Sequence, residues 1–188
     1  MTIYAEIDPE ARVDQGDVFS NIYFPAIDAY VSAIVITPTC DFEHEKAHFI
    51  KFISTVPPDI FIRIIADSLG INESAFQSRD DISKTQCSSL LKALRRNTTG
   101  DFLPRYYLLP EYQGKLPPLY LDFQRVFTVP SLQVVEEYLG NRVAKILSPW
   151  REQIVAQYSG YSMRVGVPDY SDEELRDLLR TAGLKLPA

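Results

Sequence analysis

Tyr30 to His48 reads YVSAIVITPTCDFEHEKAH. Its first half, Val31 to Thr37, is a near-continuous apolar run, too short for a typical helix, and predicts a buried central strand. Its second half is polar and titratable. Cys40, Asp41, Glu43, His44, Glu45, Lys46 and His48 follow Thr37-Pro38-Thr39, so both histidines of the chain and one of its two cysteines fall here. A strand that empties into such a loop is a common way to build a site, because a rigid scaffold fixes the loop side chains. The next segment, HFIKFIST (His48 to Thr55), alternates. Phe49, Lys51 and Ile53 lie on one face and Ile50, Phe52 and Ser54 on the other, and Pro57-Pro58 ends the strand. Toward the N-terminus, Gln15-Gly16-Asp17 is a turn and VFSNIYF (Val18 to Phe24) a strand rich in aromatic and β-branched residues.

Composition bounds what such a chain can be. Its 188 residues suit one core with an insertion or a tail. The early acids of the N-terminus argue against a signal peptide, and no run approaches the ~20 apolar residues that span a bilayer. Two cysteines far apart in sequence fit reduced thiols, and the expected compartment is the cytoplasm. The net charge is −6, whereas a protein living on phosphate contacts usually carries a basic stripe. Binding to nucleic acid would therefore need a local cluster of cations.

The middle of the chain changes period. In DIFIRIIADSLG (Asp59 to Gly70), Ile60, Ile64 and Ile65 fall at helical spacing and Gly70 where a C-cap belongs. A second helix is predicted from Asp81 to Arg96, with Ile82, Leu90, Leu91 and Leu94 as its stripe and Asp80 or Asp81 as N-cap. Strands return at RYYLLP (Arg105 to Pro110) and LYLDFQRVF (Leu119 to Phe127), then at SLQVVEEY (Ser131 to Tyr138) and NRVAKIL (Asn141 to Leu147). Ser148-Pro149 predicts a helix start with Ser as N-cap, and Ser171 to Glu174 predicts a last helix closed by Gly183.

The order of these pieces resembles the MazF/PemK toxin family. The resemblance rests on Gly16-Asp17, IVITP (34 to 38), FIKFIST (49 to 55), LYLDFQRVF (119 to 127) and SPWREQIV (148 to 155). It implies an α+β protein whose core is an SH3-like antiparallel β-barrel formed by residues 14–56 and 104–159. Residues 57–103 would be a helical insertion and 160–188 a C-terminal extension. The resemblance further implies metal-independent cleavage of single-stranded RNA without a cofactor, with Thr55 after the third strand and Asp122 on the later strand, beside Arg125. The family's arginine before the second strand is absent here. Ala29, Tyr30 and Val31 occupy that place, so the cation would come from Lys46, Lys51, Arg105 or Arg125. Two functions follow. One is a non-catalytic binding or effector module of a bacterial toxin–antitoxin or phage-defence system, partnered by an antitoxin or another defence component. The other is an endoribonuclease with Thr55, Asp122, Arg125 and Lys46 at the scissile phosphate. The resemblance also implies a homodimer, and no membrane is expected as partner.

The Cys40–Asp41 loop keeps several readings. Cys40, His44 and His48 are four apart and could ligate a metal on a helix, but Pro38 and the strand start at His48 oppose helical geometry. A Cys–His nucleophile pair is a second reading. A small inert cysteine beside a turn-forming Asp41 is the third. The fourth is a ligand-binding set of Thr37, Thr39, Cys40 and Asp41. Lys84, Lys92, Arg95 and Arg96 form the one basic cluster evident in the sequence, read as a solvated helix face or as a phosphate contact.

Overall fold

The computed structural model describes residues 2–72, 74–77, 82–98 and 104–163. Seven strands form one antiparallel sheet: β1 (Tyr4–Ala5), β2 (Asp17–Phe24), β3 (Ala29–Val35), β4 (Phe49–Val56), β5 (Tyr106–Leu109), β6 (Leu119–Pro130) and β7 (Arg142–Ile146). Their order across the sheet is β1-β7-β2-β3-β4-β6-β5. The protein is thus α+β, with the apolar run of the opening stretch in β3, inside the sheet and paired on both sides. The predicted alternation of β4 holds. Ile53 faces one core cluster, while Ile50 and Phe52 face another.

Each face of the sheet is covered by its own elements. One face packs Ile34, Ile53, Leu121 and Ile146 against Ile154 of α6 (Trp150–Ser162). The opposite face packs Phe19, Phe24, Phe52 and Val129 against Val134 and Tyr138. Those two residues belong to the helical turns that follow β6: α5 (Ser131–Gln133) and a π-helical turn (Val134–Tyr138). SLQVVEEY is therefore helical and not the strand its β-branched pair predicts. Pro130 ends β6, and the chain must turn to bury Val134 and Tyr138 while Leu132 and Val135 stay exposed.

A third cluster lies under α2 (Pro58–Ser68) and α4 (Lys84–Thr98), which with the short α3 (Ser74–Gln77) lie between β4 and β5 in the chain. There Phe61 stacks on Tyr120 with ring centroids 3.6 Å apart. The buried stripe of α2 is Phe61, Ile65 and Ala66, whereas Ile60 is exposed. Of the predicted stripe Ile65 is buried and Ile64 packs against the cluster, but Ile60 faces out and the aromatic ring of Phe61 meets the sheet in its place. In α4 the inward residues are Leu90, Ala93 and Leu94, and Leu91 points out. The N-cap expected at Asp80 or Asp81 lies outside the described residues, as do the segment from Arg164 and the last helix. At the start of α6 the cap is Pro149, after a cis Ser148–Pro149 bond, and not Ser148.

β1 and β5 are the sheet's two edges, and no ladder joins them among the described residues. Their ends nevertheless meet through side chains. The Tyr4 and Tyr112 rings lie 4.9 Å apart, and Tyr4 Oη donates to the Pro110 carbonyl at 2.9 Å.

Candidate functional site

The charged side chains that converge on one point do so at a break in β6. Ile53 pairs with Val126, but Thr55, two residues on, pairs with Leu121. Three residues of β6 are therefore extra, and the strand bulges between Asp122 and Val126. Bulges of this kind re-aim side chains out of the pleat. The bulge is held from the β5 side. Tyr106 pairs with Asp122, and the Phe123 N–H donates to the Arg105 carbonyl at 2.9 Å.

Arg105 grips Asp122 with a fork, Nε to Oδ1 at 2.6 Å and Nη2 to Oδ2 at 2.5 Å. Arg125 Nε approaches Oδ2 at 3.4 Å, and the Gln124 N–H donates to Oδ1 at 3.0 Å. The carboxylate side chain is 1% exposed, whereas those of Arg105 and Arg125 are 34% and 40% exposed. Solvent therefore meets two guanidinium groups, with the anion that partly neutralises them hidden beneath. The hydrogen bonds that Arg105 donates to Asp122 hold it still more firmly protonated, though its partial burial opposes this. Its guanidinium carbon also sits 4.9 Å from the centre of the Tyr106 ring. Burial raises the pKa of Tyr106 above the ordinary phenol value, and the charge of Asp122 adds to the shift. Two cations over one buried carboxylate leave a surplus positive charge, and Arg forks suit phosphate and carboxylate groups.

The other expected residues lie elsewhere. Thr55 is buried and its hydroxyl donates to the Ser32 carbonyl of β3 at 3.0 Å, so it is engaged inside the sheet. Its neighbour Ser54 is fully buried on the opposite face of β4, and its hydroxyl has no partner among the described residues. Lys46 is exposed on the turn before β4. Phe49, at the start of that strand, and Ser54, facing the bulge, are roughly 17 Å apart at the ordinary strand rise. Lys51 is exposed within β4, near that far end.

The Cys40–Asp41 loop contains a single helical turn, α1 (Thr39–Glu43), and the His44 N–H reaches the Cys40 carbonyl at 3.1 Å. Cys40 and His44 thus do adopt helical spacing, while His48 lies beyond, after a separate turn at Lys46. Cys40 is exposed, which corrects the reading of an inert core thiol. Of the ligand-binding set, Thr37 is buried and accepts the Lys51 N–H at 2.7 Å, and Thr39 is partly buried at the start of α1. Asp41 lies 3.8 Å from Cys40 Sγ. These residues fasten the β3–β4 connection.

A second ionic cluster was not foreseen from the sequence. Asp17 and Arg142 are both buried, with Nη1 to Oδ2 at 3.2 Å, and Arg142 also donates to the carbonyls of Asp8, Ala11 and Arg12 at 2.8–3.0 Å. One guanidinium thereby ties the N-terminal segment to β7. Burial pushes Asp17 above the ordinary carboxylate value against the pull of its partners. Burial also pushes on Asp14, but Lys145, 2.7 Å away, helps hold it below that value. The available signal was Gly16-Asp17 at the head of a strand and an arginine inside NRVAKIL, and nothing in the spacing joined them.

No family model and no curated protein sequence matches this chain. Among the described residues no helix is long and apolar enough to cross a membrane.

Proposed function

We propose that the chain is a non-catalytic binding module, MazF/PemK-like in outline, within a bacterial toxin–antitoxin or phage-defence type system. Its binding site is the exposed edge of the Arg105–Asp122–Arg125 cluster, and its ligand is a phosphate-bearing one, single-stranded RNA first. The observation that carries this reading is the pair of half-exposed guanidiniums over a buried carboxylate. An SH3-like barrel belongs to the same reading and is supported by the meeting of the two sheet edges at Tyr4 and Tyr112.

The absence of catalysis follows from where the hydroxyl and the carboxylate are spent. Metal-free cleavage of RNA needs one group to take the 2′-hydroxyl proton and another to supply the leaving oxygen with one. Thr55 donates into the sheet, and both oxygens of Asp122 are occupied by guanidinium and amide donors. A cation without a base holds phosphate and does not cut it. The second reading, a metal-independent endoribonuclease, is favoured by one feature: Arg105 and Arg125 together supply the cation missing before β3.

Metal-free incubation with a mixed-sequence RNA pool separates the two readings. The expected result is retention of RNA without cutting, with Arg125→Ala weakening retention by roughly tenfold and flattening its salt dependence by about one phosphate contact. Cutting that disappears in both Thr55→Ala and Asp122→Ala would establish the nuclease instead. Absence of both retention and cutting would remove RNA from this site.

A further inference from the structure

The second half of β6 is an open edge. β4 pairs along one side of β6 as far as Pro130, but on the other side β5 covers only Leu119 to Asp122. At the end of the β4 ladder the Ser131 N–H donates to the His48 carbonyl at 3.0 Å, and in an antiparallel ladder every second residue points the same way. Val129 and Phe127 therefore bond toward β4, whereas Thr128 and Val126 point their N–H and carbonyl groups away from it. Those groups have no other hydrogen-bond partner among the described residues. Beside the edge lies a groove of about 500 Å³ between β6 and the turn that joins β2 to β3. Tyr23, Phe24, Pro25 and Phe127 help to wall it, and the Phe24 and Phe127 rings stack 4.6 Å apart. We infer that the open edge receives an extended segment of a partner protein as an added antiparallel strand, with an apolar side chain in the groove and an acidic residue at Arg125.

The first argument is the backbone. Donors and acceptors repeat along Val126 and Thr128 at strand spacing, and another extended chain is what matches such a row. Proteins blunt exposed edges with charge, yet Val126-Phe127-Thr128-Val129 carries none. The second argument is the groove. No charged residue lines it among the described residues, and the side chains of an added strand alternate, so those that enter are apolar. The third argument is charge at one end. Arg125 immediately precedes the open stretch and is 40% exposed, and among the described residues its one ion pair is with a carboxylate that Arg105 already grips. A strand antiparallel to β6 runs from Pro130 toward Arg125, which places the acid at the C-terminal end of the segment. A second copy of this chain does not match. It brings a net charge of −6 of its own, and its β6 offers Arg125 no acid between Gln124 and Pro130. The inference goes beyond the phosphate reading and shares with it only Arg125.

Amide exchange followed by NMR reads such pairing directly. The probe is a short synthetic peptide that alternates Val and Thr and ends in Glu. It is expected to slow exchange of the Val126 and Thr128 amides by at least about tenfold, while Phe127 and Val129, already bonded to β4, change little. N-methylation of the peptide residues that face the edge should abolish that protection. Replacing the peptide's Glu by Gln should weaken binding about threefold, with a smaller difference at high salt. Thr128→Pro removes an outward N–H that the β4 ladder does not use, so it should abolish binding with an unchanged circular dichroism spectrum. Should that variant misfold, the N-methylated peptide decides alone. No binding, binding without protection of Val126 and Thr128, or protection indifferent to N-methylation would overturn the inference. A dimer in sedimentation whose Val126 and Thr128 amides are protected without peptide would overturn it too. Oligouridine retention is expected to be the same in Thr128→Pro as in the parent, so failure of the strand site and failure of the phosphate site are read separately.

Discussion

Among the described glycines, Gly16 is the one whose replacement the backbone tolerates least. Its φ is +90°, a region L side chains rarely adopt, and an added Cβ would lie 2.9 Å from both the Ile146 carbonyl and the Arg151 side chain. Its own N–H and carbonyl are engaged, donating to Val35 and accepting from Ile146 at 2.9 and 2.8 Å, so it cannot withdraw. Gly16→Ala is expected to destabilise the fold by about 2–3 kcal/mol, measured as a lower urea midpoint with unchanged slope. At the same corner, Asp14 and Asp17 give opposite pH signs. The carboxyl of Asp14 is depressed below its ordinary 3.8, so its contribution is present above that value and lost as pH falls through the folded value. The carboxyl of Asp17 is raised, so its contribution is present below 3.8 and lost as pH rises through the folded value. Asp14→Asn should therefore lose less stability than wild type between pH 6 and pH 3 in urea titrations. A larger loss in the variant would refute the Lys145 pairing as the cause.

At the scale of elements, α2 meets the sheet through one aromatic stack, and α4 packs into the same cluster through Leu90, Ala93 and Leu94. Phe61 is fully buried against Tyr120 and 5.0 Å from the Tyr106 ring. Phe61→Ala should cost about 3–5 kcal/mol locally. The expected signature is fast amide exchange in α2 and α4 while β2, β3 and β4 remain protected, since sub-global opening follows such units. Uniform loss of protection would mean that the helices and the sheet fold as one unit. The elements themselves were largely legible in the sequence. β2, β3, β4, β6 and β7 announce themselves by β-branched and aromatic runs, and α2 by its period. The misreadings share one cause. Val134-Val135 looked like strand and Ile60 looked buried because a local pattern ranks apolar residues without knowing which ones meet the sheet.

For the whole molecule, the telling contact is the one between the sheet's two edges. Tyr4 on β1 and Tyr112 after β5 are more than 100 residues apart in the chain, and the Tyr4 hydroxyl also holds the Pro110 carbonyl. Tyr4→Phe removes that hydrogen bond and keeps the ring, so a loss of about 1 kcal/mol is expected, with exchange quickening selectively in β1 and around Pro110. Tyr4→Ala removes the ring contact as well and should open the edges further, without disturbing the Phe19–Phe52 pair on the other face. If neither variant alters exchange at β5, the edges are independent and the barrel-like reading loses its support.

By itself, the sequence determined the α+β character, a central strand within the apolar run that begins at Val31, the amphipathic helices between β4 and β5, and the acidic balance that confines any anion site to a local cluster. Periodicity and composition carry that information because they are local. Only the tertiary structure decided that Arg105 reaches Asp122 across two strands, that Thr55 spends its hydroxyl on Ser32, and that Asp17 is buried against Arg142. Each depends on strand register, and the Arg105–Asp122 pair also on the three-residue bulge in β6; both are set by pairing between segments far apart in the chain and not by any spacing within one of them.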